Sequence, residues 1–282
     1  MKLLRYGILG AEKPGCLDSE GNLRDLSSHV SDLTGQVLLP EKLNELRRIK
    51  IENLPIVSTK ERLGAPIHHV GKFLCIGLNY KDHAAETGAN VPVEPVLFSK
   101  VTSSICGPCD DLVIPKRSTH TDWEVELGVI IGRPAKRIAE KDALNYVAGY
   151  CVINDVSERH YQLHGTGQWI KGKSCDTFGQ LGPWLVTADE IPDPQKLALW
   201  LEVDGKRYQN SNTGNMIYSV AYLVSYLSQF FTLYPGDIIS TGTPAGVGLG
   251  QKPIPIYLKP GQVVKLGIPG LGEQQHLTVE EA

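Results

Sequence analysis

The stretch Thr121-Asp-Trp-Glu-Val-Glu-Leu-Gly-Val-Ile-Ile-Gly132 decides how the rest of the chain is read. Trp123, Val125, Leu127 and Val129 alternate with Glu124, Glu126 and Gly128, a period of two that predicts a β-strand. Both glutamates then leave the same face, roughly 6–7 Å apart at the usual rise per residue. The strand runs on into Val129-Ile-Ile131, which places it in the interior rather than at a solvated edge. Two carboxylates on a buried face repel each other and lose hydration, so one takes up a proton or a cation sits between them. A strand with a wet, acidic face is the other reading that this stretch leaves open.

Working outward, Ala148-Gly-Tyr-Cys-Val-Ile-Asn-Asp155 is a second apolar strand, and it ends abruptly in acid. Asp155 is placed either as a ligand beside the first strand or as the N-cap of a helix over Val156-Ser-Glu-Arg-His-Tyr-Gln162. Between the two strands the pattern predicts a helix over Glu140–Tyr146. Upstream, the short strand Phe73-Leu-Cys-Ile76 runs into Gly77-Leu-Asn-Tyr-Lys-Asp-His-Ala-Ala-Glu-Thr-Gly88, where Asn79 can cap a short helix that stops near Gly88. On that helix His83 and Glu86 are three apart and share a face. A carboxylate beside an imidazole fixes its tautomer and raises its basicity, as a general base requires. Two solvated side chains on a polar face is the plainer alternative. The flanking glycines suit a segment that moves as a lid.

Val96–Lys100 reads as a further strand, followed by Cys106-Gly-Pro-Cys109. A redox C-x-x-C needs a thiol of lowered pKa, and the acids Asp110 and Asp111 act the other way. Downstream, Lys171 and Lys173 either answer the acidic cluster, hold an anionic substrate, or lie on the surface. Asp204-Gly205 between two strand patterns signals a hairpin. Ser219–Phe231 is an amphipathic helix carrying Val220, Leu223, Val224, Leu227 and Phe231 on one stripe. Thr241-Gly-Thr-Pro-Ala-Gly-Val-Gly248 is a glycine-rich loop without the ending of a nucleotide-binding P-loop, and its amides and hydroxyls can receive a carboxylate.

The totals narrow the classes. A chain of 282 residues fits one large domain, or a medium one with a small one attached. Turn residues place the boundary near residue 66, giving a small N-terminal domain over 1–66 and a main body over 67–282. A formal charge of −3 argues against nucleic acid or an acidic membrane as partner. No apolar run reaches transmembrane length, and the N-terminus lacks the apolar run of a signal peptide. Six scattered cysteines fit the reduced thiols of a cytoplasmic protein.

The residues therefore converge on three carboxylates (Glu124, Glu126, Asp155), an imidazole–carboxylate pair, two lysines and a hydroxyl-rich loop. An all-oxygen donor set favours Mg²⁺, Mn²⁺ or Ca²⁺ over zinc or copper. Three protein ligands leave positions open for substrate and water.

Five motifs in order, Gly77–His83, Asp122–Gly128, Asn154-Asp155, Lys173–Thr177 and Thr241–Gly248, make the chain resemble the fumarylacetoacetate hydrolase family over about residues 70 to 282. The resemblance implies a mostly β (α+β) fold, a mixed β-sandwich roll with a small N-terminal α/β domain, and a homodimer. It implies Mg²⁺ or Mn²⁺ on Glu124, Glu126 and Asp155, and a catalytic His83–Glu86 dyad on a lid, with Lys173 beside it. Arg159, Gln162, Thr243, Lys100 and Thr177 become its substrate contacts. A further metal-binding aspartate that some members place ahead of the lid histidine is absent here, where Leu74-Cys-Ile-Gly77 stands instead.

The activity implied is metal-dependent hydrolysis of a carbon–carbon bond in a 2-oxo acid of the 2,4-dioxo (acylpyruvate) type. The N-terminal segment looks like that of members acting on 2,4-diketo-3-deoxy sugar acids such as the L-rhamnonate derivative. Other members of the family are oxaloacetate decarboxylases, ureidoglycolate lyases or 2-hydroxyhepta-2,4-diene-1,7-dioate isomerases. From other classes, a thiol redox protein using Cys106 and Cys109, or a sugar-acid binder without turnover, stands as the rival.

Overall fold

The computed structural model describes residues 1–88 and 90–282. The chain opens with a meander of β1 (Lys2–Tyr6), β2 (Lys13–Leu17) and β3 (Leu23–Asp25). Its second turn closes at Gly21, whose φ of +84° only glycine adopts readily. Helix α1 (Pro40–Arg47) follows, burying Leu43 and Leu46, and then the short β4 (Leu63–Gly64). Next come β5 (Phe73–Gly77), α2 (Lys81–Thr87), β6 (Val96–Lys100), β7 (Ile105–Cys106), β8 (Leu112–Ile114) and β9 (Thr121–Asp122). The central pair is β10 (Val125–Ile131) and β11 (Val147–Asp155). Then β12 (Ser157–Glu158), the short helices α3 (Arg159–Leu163) and α4 (Ile170–Lys173), and β13 (Gly179–Thr187) complete the middle of the chain. The last part holds β14 (Ala198–Val203), β15 (Lys206–Asn212), α5 (Val220–Phe230), β16 (Ile238–Ser240), β17 (Val263–Ile268) and β18 (Gly272–Glu280).

Among the described residues an eleven-stranded sheet runs in the order β3-β2-β1-β13-β11-β10-β16-β5-β6, with β4 on β1 and β7 on β13. A five-stranded sheet runs β15-β14-β17-β18-β8, and β9 pairs with β12. Most pairings are antiparallel, whereas β5–β16, β7–β13 and β8–β18 are parallel, so the sheets are mixed and the fold is mostly β.

β10 and β11 are buried along their whole length because both faces of the large sheet are covered. On one face Val125, Leu127, Val129 and Ile131 join Leu199, Leu201, Val264 and Leu266 of the smaller sheet and Leu223, Val224 and Leu227 of α5. On the other, Ile130 and Ile153 join Leu3, Cys16, Leu43 and Leu46 from the N-terminal segment. β1 pairs directly with β13 (Leu3 opposite Leu185), so the first residues extend the same sheet. The proposed boundary near residue 66 falls between β4 and β5, within this shared core.

Several local expectations change. The strand expected from Thr121 to Gly132 is broken at Trp123-Glu124, because Thr121-Asp122 pairs with β12 and only Val125 onward enters the large sheet. Asn79 does not cap α2; Tyr80 holds that position without a side-chain bond. Asn79 instead cross-links loops, donating to the Thr241 and Tyr218 carbonyls and accepting from Tyr218 N. The helix ahead of Gln162 starts at Arg159 and is capped by Glu158, which accepts from Tyr161 N, so the capping role considered for Asp155 is ruled out. Glu140–Tyr146 is 3₁₀ rather than α-helix. Gly88 does end α2, in the left-handed conformation that a helix C-terminus favours. No helix among the described residues is long and apolar enough to cross a membrane.

Candidate active site

Glu124, Glu126 and Asp155 meet where β10 and β11 lie side by side in mid-sheet. Asp155 N donates to the Glu124 carbonyl (2.9 Å), and Glu124 N donates to the Asn154 side chain (3.1 Å), which locks the ends of the two strands together. Each carboxylate offers an oxygen, and these lie within 4.8 Å of one another with all three residues buried.

Their surroundings sort them. Lys173 Nζ bridges Glu124 Oε2 (2.7 Å) and Asp155 Oδ2 (2.9 Å). Arg159 Nη1 reaches Glu124 Oε1 at 2.7 Å. Lys100 Nζ lies against Asp155 Oδ1 at 2.5 Å. Among the described residues no cation touches Glu126; Ser240 Oγ (2.5 Å) and Gly242 N (2.7 Å) donate to its Oε2. Burial would raise the Glu124 carboxyl, but the charges of Lys173 and Arg159 outweigh it and hold it at about 2. Burial, reinforced by the charges of Asp155 and Glu124, pushes Glu126 well above the usual carboxylate range. Burial alone would lower the Lys173 ammonium, but Asp155 and Glu124 hold its pKa above the ordinary lysine value, so it stays charged.

The cluster, which also includes the buried Asp122, therefore sets four buried carboxylates against three buried cations, Arg159, Lys173 and Lys100. A hard divalent cation fits this oxygen donor set, and its charge would replace the proton that Glu126 otherwise keeps.

Above the cluster lies a cavity of about 200 Å³ whose walls include Glu124, Glu126, His83, Lys173, Arg159, Gln162 and Thr243. His83 on α2 faces it, with Nδ1 3.4 Å from Glu86 Oε2. Glu86 in turn accepts from Gly246 N through both oxygens (3.0 and 3.1 Å), so the glycine-rich loop grips the helix that carries the dyad. Asp82 on the same helix accepts from Ser211 of β15. Ile76, Leu78, Phe98, Leu163, Trp169 and Leu249 supply the apolar part of the walls. Trp169 packs edge-on to Phe98 (centroids 5.2 Å apart) and leans over Gly77, where a Cβ would lie 2.6 Å from its ring.

Three of the residues singled out from the sequence sit elsewhere. Lys100 stands behind Asp155, bound to it and to the Val156 carbonyl, and holds that carboxylate rather than lining the cavity. Thr177, at φ +65°, accepts from Val113 N with its hydroxyl and supports β8. Lys171 is exposed and borders a separate surface hollow with His160 and His164. Thr243 lines the cavity, but its hydroxyl is already used, donating to the Val125 carbonyl and accepting from Gln209.

Cys106 and Cys109 are unpaired, and burial raises both thiols, contrary to what a redox pair needs. Composition and spacing gave no hint of Ser240, Gln209 or Trp169. Asp122 and Asn154 lay inside the decisive motifs without an assigned role.

Comparison with known proteins shows the family. The family model described as fumarylacetoacetate (FAA) hydrolase, C-terminal, matches residues 72–279. A protein of Burkholderia multivorans with only the provisional name of hydrolase is 63% identical over 278 residues, covering 99% of each chain. The solved structure of a fumarylacetoacetate hydrolase from Exiguobacterium antarcticum superposes with a TM-score of 0.86 at 33% identity, covering 100% of both chains. That of maleylpyruvate hydrolase from Sphingobium sp. SYK-6, in complex with manganese(II) and pyruvate, gives 0.83 at 26% identity over 100% of both chains.

Proposed function

Because the chain belongs to the fumarylacetoacetate hydrolase family, we propose that it hydrolyses a carbon–carbon bond in a 2,4-dioxo acid of acylpyruvate type, using Mg²⁺ or Mn²⁺ held by Glu124, Glu126 and Asp155. The observation that carries this reading is the placement of a His–Glu pair and an acid-rich, oxygen-only cluster on the same small cavity. The manganese and pyruvate in the maleylpyruvate hydrolase structure support the same assignment.

When bound, the ion supplies a Lewis acid for the carboxylate and 2-oxo oxygens of the substrate. The chain's own groups do the rest. His83, oriented by Glu86, takes a proton from water, and the water oxygen forms a bond to C4. The C3–C4 bond breaks, its electron pair goes to the three-carbon fragment, and the proton held by His83 returns to C3. The products are a carboxylic acid and pyruvate. Lys173, kept cationic by its two carboxylates, faces the negative charge that develops. The Arg159 Nη2 atom, buried and without a hydrogen-bond partner among the described residues, is suited to a substrate carboxylate.

The group beyond C4 meets Leu78, Phe98, Leu163, Trp169 and Leu249. These walls suit a short, largely apolar tail, because each buried hydroxyl left without a partner costs about 1–3 kcal/mol. The L-rhamnonate derivative, whose tail carries one methyl and one hydroxyl, is the sugar acid that fits them best. It would release pyruvate and lactate. A homodimer acting on a small molecule completes the proposal, and analytical ultracentrifugation tests the dimer.

The decisive assay is pyruvate release from short acylpyruvates, the diketo-deoxy sugar acid and oxaloacetate, with Mn²⁺ or with EDTA. Metal-dependent release from a dioxo acid is expected; turnover of oxaloacetate alone would replace the hydrolase reading with a decarboxylase. His83→Ala should lower C–C hydrolysis about 10²–10⁴-fold while sparing part of any decarboxylation, which needs no attacking water. Unchanged hydrolysis in that variant would remove His83 as the base.

A further inference from the structure

Asp122 is fully buried and lies beside the cluster without lining the cavity. Its Oδ1 accepts from Trp123 N (2.8 Å) and Gly248 N (2.7 Å), and its Oδ2 from Leu249 N (2.9 Å) and Arg159 Nε (2.8 Å). One carboxylate thus holds the far end of the glycine-rich loop and a guanidinium that faces the cavity. Two residues before Gly248 in the same loop, the Gly246 N–H grips Glu86 on α2. The loop has little freedom to shift between these anchors: a Cβ at Gly246 would lie 2.0 Å from the Tyr208 carbonyl oxygen, and one at Gly250 would lie 2.3 Å from the Glu86 carboxyl carbon.

We propose that Asp122 is a positioning residue that couples docking of the α2 helix to the aim of Arg159, with the Gly246–Gly250 loop as the connecting piece. The proposal rests on reading the cavity as a 2-oxo acid site. With two arms of the guanidinium fixed on Asp122 and on Glu124 and Gln162, Nη2 is left as the atom directed to a carboxylate. Without Asp122, three backbone amides lose their acceptor and Arg159 keeps only its bonds to Glu124 and Gln162, so its direction is no longer set.

Asp122→Asn tests this closely, because an amide keeps the Oδ1 acceptor for Trp123 and Gly248 and turns a donor toward Leu249 N and Arg159 Nε. In the Mn²⁺-loaded full chain, calorimetry with oxalate as probe should show affinity falling about tenfold, more than the affinity for Mn²⁺ itself. Amide hydrogen exchange should quicken both over residues 246–251 and over residues 81–88. With a cleaved acylpyruvate, KM should rise more than kcat falls, a split that loss of folded protein alone does not produce. Unchanged oxalate affinity, or quickened exchange confined to 246–251, would overturn the coupling.

Should Asp122→Asn not fold, Glu86→Gln reads the same connection from the other end. It should quicken exchange over 246–251 and weaken oxalate binding, and no change in either would overturn the proposal. Oxalate binding and exchange need no turnover, so a chain that shows these changes yet releases no pyruvate counts against the proposed reaction alone.

Discussion

Two charge networks in this molecule, one half-buried and one fully buried, use the same residue types and end differently. Near the N-terminus, Arg5 binds Asp32 (2.7 Å) and Glu12 (3.3 Å), and Arg62 binds Glu12 (2.9 Å) and both oxygens of Asp110 (2.6 Å). There every carboxylate has a guanidinium. Burial would raise Glu12, but hydrogen bonds from the backbone and from Arg62, with the charges of both arginines, hold it below the ordinary carboxylate value. In the β10–β11 cluster Glu126 has no cation in contact among the described residues, and it is pushed the other way. The first network ties β1, β4 and the Cys106–Cys109 turn together and asks for nothing further. The second balances only while Glu126 keeps a proton, and a carboxyl perturbed in this way makes the cluster a candidate site for a ligand.

The contrast breaks most sharply if the carboxylates of the second network prove dispensable. Asp155→Asn should lower activity on the order of 10³-fold and weaken Mn²⁺ binding in parallel, measured by steady-state assay and by titration of the metal. Wild-type turnover in that variant would make the β10–β11 cluster as structural as the other.

Next in size, Arg5→Ala should cost about 2 kcal/mol of unfolding free energy in urea, because Asp32 loses its guanidinium and Glu12 keeps only that of Arg62. kcat should not change where the variant remains folded. A loss of kcat without a loss of stability would mean that the two networks communicate.

The pH dependence of stability should have opposite sign in the two places. Glu126, raised above its ordinary 4.5, keeps its proton on folding, so the stability it contributes is present below pH 4.5 and is lost as pH rises through its folded pKa. Glu12, lowered from 4.5, contributes stability above that pH, which is lost as pH falls through its folded value. Melting curves in EDTA should therefore show a loss on the alkaline side that saturating Mn²⁺ removes. If the metal leaves the slope untouched, Glu126 is not the group it displaces. The smallest effect belongs to Cys106→Ser with Cys109→Ser, which should cost about 1 kcal/mol and leave activity intact. A loss of turnover there would reopen the thiol reading.

Much of the site was legible because its parts lie on regular elements. A period of two fixed Glu124 and Glu126 on one face, and an apolar run ending in acid put Asp155 beside them once the strands paired. Spacing by three placed His83 against Glu86. The hairpin at Asp204-Gly205 and the helix behind Ser219 carried their own turn and capping chemistry.

What stayed hidden depends on partners far away in the chain. A polar side chain near a helix start looks like a cap until the loops that need its amide are in place, as with Asn79 and the Thr241 and Tyr218 carbonyls. The same holds for Thr177, whose hydroxyl answers a backbone amide of β8, and for Lys100, whose charge is spent on the back of Asp155. Sequence pattern shows which face a residue occupies; it does not show which distant donor or acceptor will claim it.

The missing side chain at Gly77 has a consequence for how this enzyme family could diversify. With Trp169 leaning into the space above it, bulk at position 77 and bulk at position 169 exclude one another. A pairwise exchange, a larger residue at 77 with a smaller one at 169, would move the same wall from one side of the substrate tail to the other. Either change alone would jam the pocket or leave it gaping, so a shift in tail preference at this wall is expected to require both substitutions together.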